Sequence, residues 1–246
     1  MRYLILSDLH ANWEALERVL RKARGSYDRV LCCGDLVDYG ADPNSVVEWV
    51  RANCAAVIRG NHDTASTSEE FPDWFNPAAQ AALMWTRRAL TEENRAYLRN
   101  LPQGPLPVED FQLVHGSPAD EDEYVLTAAE AIEAFGHLET RVGFVGHTHL
   151  QGGYILNRGR VETIPPPAAR FGRMKMELEP ECFYLINPGS VGQPRDRDPR
   201  AAFAVYDTQT RVVEYRRVSY DVAEAQRKIR EAGLPAILAD RLAVGR

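Results

Sequence analysis

An α/β fold is predicted by three features of the sequence. Strand-like and helix-like segments alternate over residues 2–58, apolar residues in the helix-like segments recur at helical spacing, and the second half is rich in short strand-like segments. Alternation of this kind marks βαβ units and a parallel sheet.

Taken in order, residues 2–6 read as a short buried strand. Residues 12–23 read as a helix with Ala15, Leu16, Val19, Leu20 and Ala23 on one face. A second strand is expected at 29–33. The helix at 43–52 follows, with Pro43 suited to the first turn, and a third strand at 55–58. The pattern then changes. Residues 76–88 and 91–100 look helical, and Thr91, followed by Glu92 and Glu93, suits an N-cap. Strands are expected again at 111–114 and 142–145. Between them Thr127 and Glu130 match a capping box that opens a helix closed by Gly136. The remaining strands are expected at 153–156, 160–163, 183–186, 202–206 and 212–218, with a hairpin turn at Asn157-Arg158-Gly159 and a closing helix at 222–231. No stretch separates independent domains. The economical reading is one domain, 1–246, with a helical insertion at about 64–107.

The bulk properties exclude several function classes. With 246 residues the chain can bury a substantial core. Its formal net charge of -6 argues against a general nucleic-acid-binding surface, which is usually basic. Any anion it binds must be attracted by a local feature. Cys32, Cys33, Cys54 and Cys182 form no CxxC pair, which removes zinc-ribbon and thioredoxin-like readings and favours buried free thiols in a reducing cytoplasm. The N-terminal apolar run is too short for a signal peptide, and no stretch approaches a membrane span, so a cytoplasmic protein without membrane contact is expected.

The chemistry is carried by histidines. Five of the six stand in short segments that also hold Asp, Asn or Gly, mostly just past expected strands. Asp8-Leu9-His10 follows the first strand and Gly34-Asp35 the second. Gly60-Asn61-His62-Asp63 follows the third, His115-Gly116 the strand at 111–114, and Gly146-His147-Thr148-His149 the strand at 142–145. The carboxyl ends of parallel strands lie along one edge, where ligands bind, so five segments should converge there. Neutral imidazole and ionised carboxylate on short side chains suit metal binding. Any one of these segments alone is weak, since a lone histidine past a strand is usually a satisfied polar residue. His137 and Cys182 lie outside the pattern and read as structural.

The ordered set DLH, GDLVD, GNHD, H, GHTH resembles the calcineurin-like metallophosphoesterase superfamily, and each motif of that family has its counterpart between Asp8 and His149. Asn187-Pro188-Gly189-Ser190-Val191-Gly192-Gln193-Pro194-Arg195 is similar to the late segment of its small prokaryotic phosphodiesterase branch. The resemblance implies a four-layer α/β/β/α sandwich. It implies two divalent metal ions, manganese first, with iron, zinc or nickel as alternatives. Asp8, His10 and His149 would hold one ion, Asn61, His115 and His147 the other, and Asp35 would bridge them. His62 resembles the family's catalytic histidine, with Asp38 and Asp63 as the groups that orient the site, and Arg195 is a candidate phosphate contact. Two metals roughly 3.5–4 Å apart can clamp a phosphate and bring the pKa of a bridging water to about 7. The implied reaction is attack of that hydroxide on a phosphate ester.

One departure bears on substrate. Protein Ser/Thr phosphatases of this superfamily carry an arginine where this chain has Tyr39. The expected substrate is therefore a phosphodiester or a nucleotide-type diester or anhydride. The alternatives are a protein Ser/Thr phosphatase or a non-catalytic scaffold on the same fold. A homo-oligomer is compatible with the sequence.

Overall fold

Strand β1 (Arg2–Leu6) lies in the middle of the fold, and its side chains show why. Leu4 and Leu6 pack into one core cluster, and Tyr3 and Ile5 into another on the opposite face, as the two-residue period of a strand requires. The computed structural model describes residues 1–69 and 75–246. After β1 come α1 (Trp13–Ala23), β2 (Arg29–Cys32), α2 (Pro43–Asn53) and β3 (Cys54–Val57). Then follow α3 (Asn61–Thr67), α4 (Pro77–Ala89), α5 (Glu92–Arg99), β4 (Leu106–Val108) and β5 (Phe111–Leu113). Next are α6 (Ala128–Gly136), β6 (Val142–Phe144), β7 (Gly152–Asn157), β8 (Arg160–Ile164), β9 (Arg173–Glu177) and β10 (Phe183–Asn187). The chain closes with β11 (Ala201–Asp207), β12 (Val212–Val218), α7 (Val222–Glu231), α8 (Ala236–Asp240) and a 3₁₀ turn at Arg241–Ala243.

The strands form two six-stranded mixed sheets, ordered β3-β2-β1-β11-β12-β9 and β4-β5-β6-β10-β7-β8. The expected parallel unit is present: β1 pairs in parallel with β2, and β2 with β3. In the second sheet β5, β6 and β10 run parallel. Tyr3, Ile5 and Tyr206 from one sheet and Phe111, Phe144 and Tyr184 from the other form the core between the sheets. Phe111, Phe144 and Tyr206 meet mutually with ring centroids 5.5 Å apart. Truncating a ring of this kind costs about 3–5 kcal/mol. The outer face of the first sheet packs on α1 and α2, and that of the second on α6. This is the four-layer α/β/β/α sandwich.

Local chemistry fixes the element ends. The Asn12 side chain accepts from Ala15 N and caps α1, Thr91 caps α5, and Thr127 with Glu130 forms the expected capping box on α6. Arg158 and Gly159 both take positive φ in the two-residue turn joining β7 to β8, as a type I′ hairpin requires.

The structure departs from expectation in three places. Asn61 to Asp63 lie in the first turn of a helix, α3, not in an open turn. Strand β9 was not expected. Its charged residues face outward while Met174 and Met176 enter the inter-sheet core. In the stretch 64–107, α4 and α5 are helical as expected, but β4 at its end already belongs to the second sheet. Residues 70–74 of that stretch lie outside the described residues. Helix α4 packs with α7 and α8 in a separate apolar cluster that includes Tyr39, so the C-terminal helices lie close to the GDLVD loop.

Candidate metal centre

The loops past β1 and β2 are zipped together. Asp8 N donates to Gly34 O at 3.0 Å, His10 N to Asp35 O at 3.0 Å, and Ala11 N to Leu36 O at 2.9 Å. This pairing holds the backbone in an unusual conformation. Asp8, His10, Asp35, Asp38, Tyr39, His147 and His149 all have positive φ. Each such residue costs on the order of 1–3 kcal/mol and persists only where its surroundings impose it, typically at functional sites. Close approach also dictates two glycines. A Cβ at Gly60 would stand 2.2 Å from Asp35 Oδ1, and one at Gly146 2.1 Å from Ser7 Oγ.

Two groups of potential ligand atoms result. Asp8, His10, Asp35 and His149 converge in one, and Asp35, His115 and His147 in the other, all of them buried. Asp35 belongs to both. Its Oδ1 accepts from His62 N at 3.0 Å. Its Oδ2 lies 3.6 Å from His10 Nε2 and 3.4 Å from His115 Nε2. Asn61 joins the second group, with Oδ1 3.1 Å from His115 Nε2. All seven residues that the sequence puts forward as ligands therefore meet.

Their hydrogen bonds leave the facing atoms electron-rich. His10 Nδ1 contacts Val37 O, His149 Nδ1 contacts Gln193 O, His115 Nδ1 contacts Cys33 O, and His147 Nε2 contacts Asp122 O, at 2.6–3.1 Å. A carbonyl only accepts, so each of these nitrogens carries the proton and the other ring nitrogen is left as the potential ligand. His10 Nε2 and His149 Nε2 then face one another at 3.0 Å. Burial holds both histidines well below the usual range and pushes His147 down to about 3. Two neutral rings with opposed lone pairs need a cation between them. Asp8 Oδ2, Asp35 Oδ2 and Asn61 Nδ2 are buried and have no hydrogen-bond partner, which costs free energy unless another group satisfies them. Nitrogen and oxygen donors without thiolate suit a transition-metal or zinc ion. The residues present fit the metals implied by the sequence.

His115 differs from the other three rings. Burial opposes its charge, but Asp35 and then Asp8 outweigh it and push His115 up to about 10. Metal-free protein thus holds a proton on His115 at neutral pH, and a ligating imidazole cannot. Metal loading between pH 7 and 9 is expected to release roughly one proton from this ring, and affinity should rise with pH across that window. Calorimetry in two buffers of different ionisation enthalpy measures the release. A release near zero at pH 8 would remove His115 from the ligand set.

Asp63 and Asp38, the groups expected to orient the site, both lie beside it. Asp63 Oδ1 accepts from Leu36 N at 2.8 Å, and Oδ2 from Gly60 N at 3.0 Å, tying α3 to the GDLVD loop. Burial, then Asp35, pushes Asp63 up to about 7. Asp38 Oδ2 lies 2.8 Å from His62 Nδ1, and its Oδ1 accepts from Thr86 Oγ1 on α4 at 2.9 Å. His62 Nε2 is 3.1 Å from the Tyr39 hydroxyl. Burial lowers the pKa of His62, yet Asp35 and Asp38 outweigh it and the net shift is upward. Arg195 lines a cavity beside His62. Its neighbour Asp196 is anchored by buried Arg217, Nη1 to Oδ1 at 3.0 Å.

Sequence reasoning missed Thr86, the contact of Tyr39 with His62, and Tyr124, whose ring stacks on His147 at 4.0 Å and 18°. Thr86 gives no signal beyond its place on the buried face of α4. Among the described residues, no helix is long and apolar enough to cross a membrane.

Comparison with known proteins agrees with this geometry. Residues 1–211 match the family model of the calcineurin-like phosphoesterase superfamily domain. An uncharacterised protein of Methanocaldococcus jannaschii is 34% identical over 254 aligned positions, covering 98% of this chain and 97% of its own. A metallophosphoesterase crystal structure from Sphaerobacter thermophilus shares 39% identity at a TM-score of 0.88, covering 100% of this chain and 99% of that one. A hypothetical protein of Pyrococcus horikoshii has the same fold at 20% identity and a TM-score of 0.81, covering 100% and 98%. The chain belongs to the calcineurin-like phosphoesterase superfamily and is a metal-dependent phosphoesterase.

Proposed function

We propose that the chain hydrolyses phosphodiesters or nucleotide-type anhydrides at a dinuclear centre, with manganese as the first candidate metal. The observation that supports two ions is the pair of ligand groups sharing Asp35, together with the opposed Nε2 atoms of His10 and His149. Asp8, His10 and His149 would hold one ion, Asn61, His115 and His147 the other, and Asp35 would serve both. Divalent ions in such a site supply Lewis acidity, which neutralises phosphoryl charge and lowers the pKa of a bound water toward about 7. The ligand set brings only two carboxylates, so two dications keep a positive charge that attracts an anion despite the chain's net charge of -6.

The protein's own groups do the rest. Asp38 fixes the His62 ring, and His62 donates to the leaving oxygen. Asp63 keeps the loop of Asp35 and the start of α3 in register. The preference for a diester or anhydride rests on Tyr39, whose hydroxyl contacts His62 where protein phosphatases carry an arginine. We read the whole chain as one domain, with the helices of 64–107 beside the site. Four free cysteines, three of them buried, support a cytoplasmic setting.

The test is metal analysis of the reconstituted protein together with kcat/KM on bis-p-nitrophenyl phosphate and on a phosphoserine peptide. Two bound metals and a preference for the diester are expected. A clear preference for the peptide would move the protein to the phosphatase class.

A further inference from the structure

A cavity of about 190 Å³ opens beside His62, and its walls include Tyr39, Phe75, Tyr124, Arg195 and Arg241. Arg241 comes from the 3₁₀ turn near the C-terminus, outside the 211 residues that match the family model. Two guanidinium groups therefore meet at one cavity, and among the described residues neither forms an ion pair with an Asp or Glu side chain. Arg241 Nε donates to an oxygen of Arg246, the last residue of the sequence, while its two Nη groups carry no hydrogen bond among the described residues. Arg195 Nη2 reaches Gln193 Oε1 at 3.3 Å, while its Nε is buried without a partner. Burial and the charge of Arg195 both lower the pKa of Arg241, which fits two cations facing each other. Like charges facing one half-buried cavity are unfavourable alone and become favourable when an anion enters between them, and the guanidinium fork matches phosphate oxygens. Tyr124 covers His147 with one face of its ring and is 41% exposed.

Resting on the hydrolase reading above, we propose that Arg195 and Arg241 form a subsite for a second phosphate of the ligand, next to the phosphate at the metal centre. The ligand is then a nucleoside carrying consecutive phosphates, with its base against the exposed ring of Tyr124. The cavity is continuous from His62 to both arginines, so the two phosphates are neighbours in one chain and not two separate anions.

Binding tests this without turnover. Metal-loaded wild type, Arg241→Ala and Arg241→Lys are titrated calorimetrically with AMP and with α,β-methylene-ADP, and metal content is measured after each titration. The wild type is expected to bind the bisphosphonate at least about tenfold tighter than AMP, since two charge-assisted forks are added. Arg241→Ala should close that gap, and Arg241→Lys, which keeps the charge and serves as the folded control, should keep part of it. A wild type without the gap, or an Arg241→Ala protein that retains it, overturns the subsite. A wild type that shows the gap and holds two metals but hydrolyses nothing would sink the hydrolase reading and leave the subsite standing.

Discussion

Asp35→Asn is expected to weaken metal binding at both positions and to lower kcat/KM by about 10⁴-fold. The expectation starts from geometry. Asp35 Oδ2 is the one carboxylate oxygen within 3.6 Å of a histidine in each ligand group, and it has no hydrogen-bond partner of its own. Loss of a group that only orients a ligand typically costs 10–100-fold in metal affinity. Loss of a shared ligand should cost at least about 100-fold at each position, and the product gives the four decades, about 5 kcal/mol of barrier at 1.36 kcal/mol per decade. Asparagine keeps the shape and the acceptor for His62 N, so the loop of residues 34–37 should stay in place. A second readout separates bridging from scaffolding. Asp35 is the largest of the influences that raise His115, so His115 in the metal-free variant should titrate well below its wild-type value of about 10, followed by the ring proton resonance. A variant that binds two metals with unchanged affinity would end the bridging assignment.

The parts of this centre that could be read from the sequence are those fixed by local rules. DLH and GHTH put alternate side chains on segments that leave buried parallel strands. Parallel strands bring Asp8, His10, Asp35 and Asn61 to the edge of one sheet and His115, His147 and His149 to the edge of the other, and the face-to-face packing of the two sheets joins them. The strands themselves were readable because β1 and β11 are apolar on both faces. Strand β9 was not, since Arg173, Lys175 and Glu177 with two methionines carry no strand preference, and pairing with β12 decides it. The same holds for the far side of the site. Thr86, Tyr124 and Arg241 reach it only through tertiary packing of α4, the loop before α6 and the C-terminal turn, and none of the three stands in a motif. The helical start at Asn61 escaped notice because Gly60 gives it no side-chain cap. Asp63 supplies the hydrogen bond to Gly60 N from inside the helix.

His62→Ala should keep both metals and lose about 10²–10⁴-fold in kcat, the range for a positioned general acid. The ring is contacted at both nitrogens, by Asp38 Oδ2 at 2.8 Å from Nδ1 and by the Tyr39 hydroxyl at 3.1 Å from Nε2. Asp38 accepts only, so Nδ1 carries a proton and Nε2 is the nitrogen free to give one up. The upward shift of His62 is set against burial by Asp35 and Asp38. Cations on Asp35 would cancel its share, while the contact with Asp38 persists. Asp38→Asn should therefore lower the pKa of the alkaline limb in the kcat profile, so that activity is lost at lower pH than in the wild type as pH rises, because the protonated ring is the active form. The loss in His62→Ala should depend on the leaving group. A p-nitrophenolate ion needs little protonation and should lose least, whereas a poor alkoxide should lose most. Across a series of aryl and alkyl diesters, the slope of log kcat against leaving-group pKa should steepen in the variant. An unchanged slope, or loss of a metal from His62→Ala, would make His62 a structural residue and move the search for the acid to the hydroxyl of Tyr39.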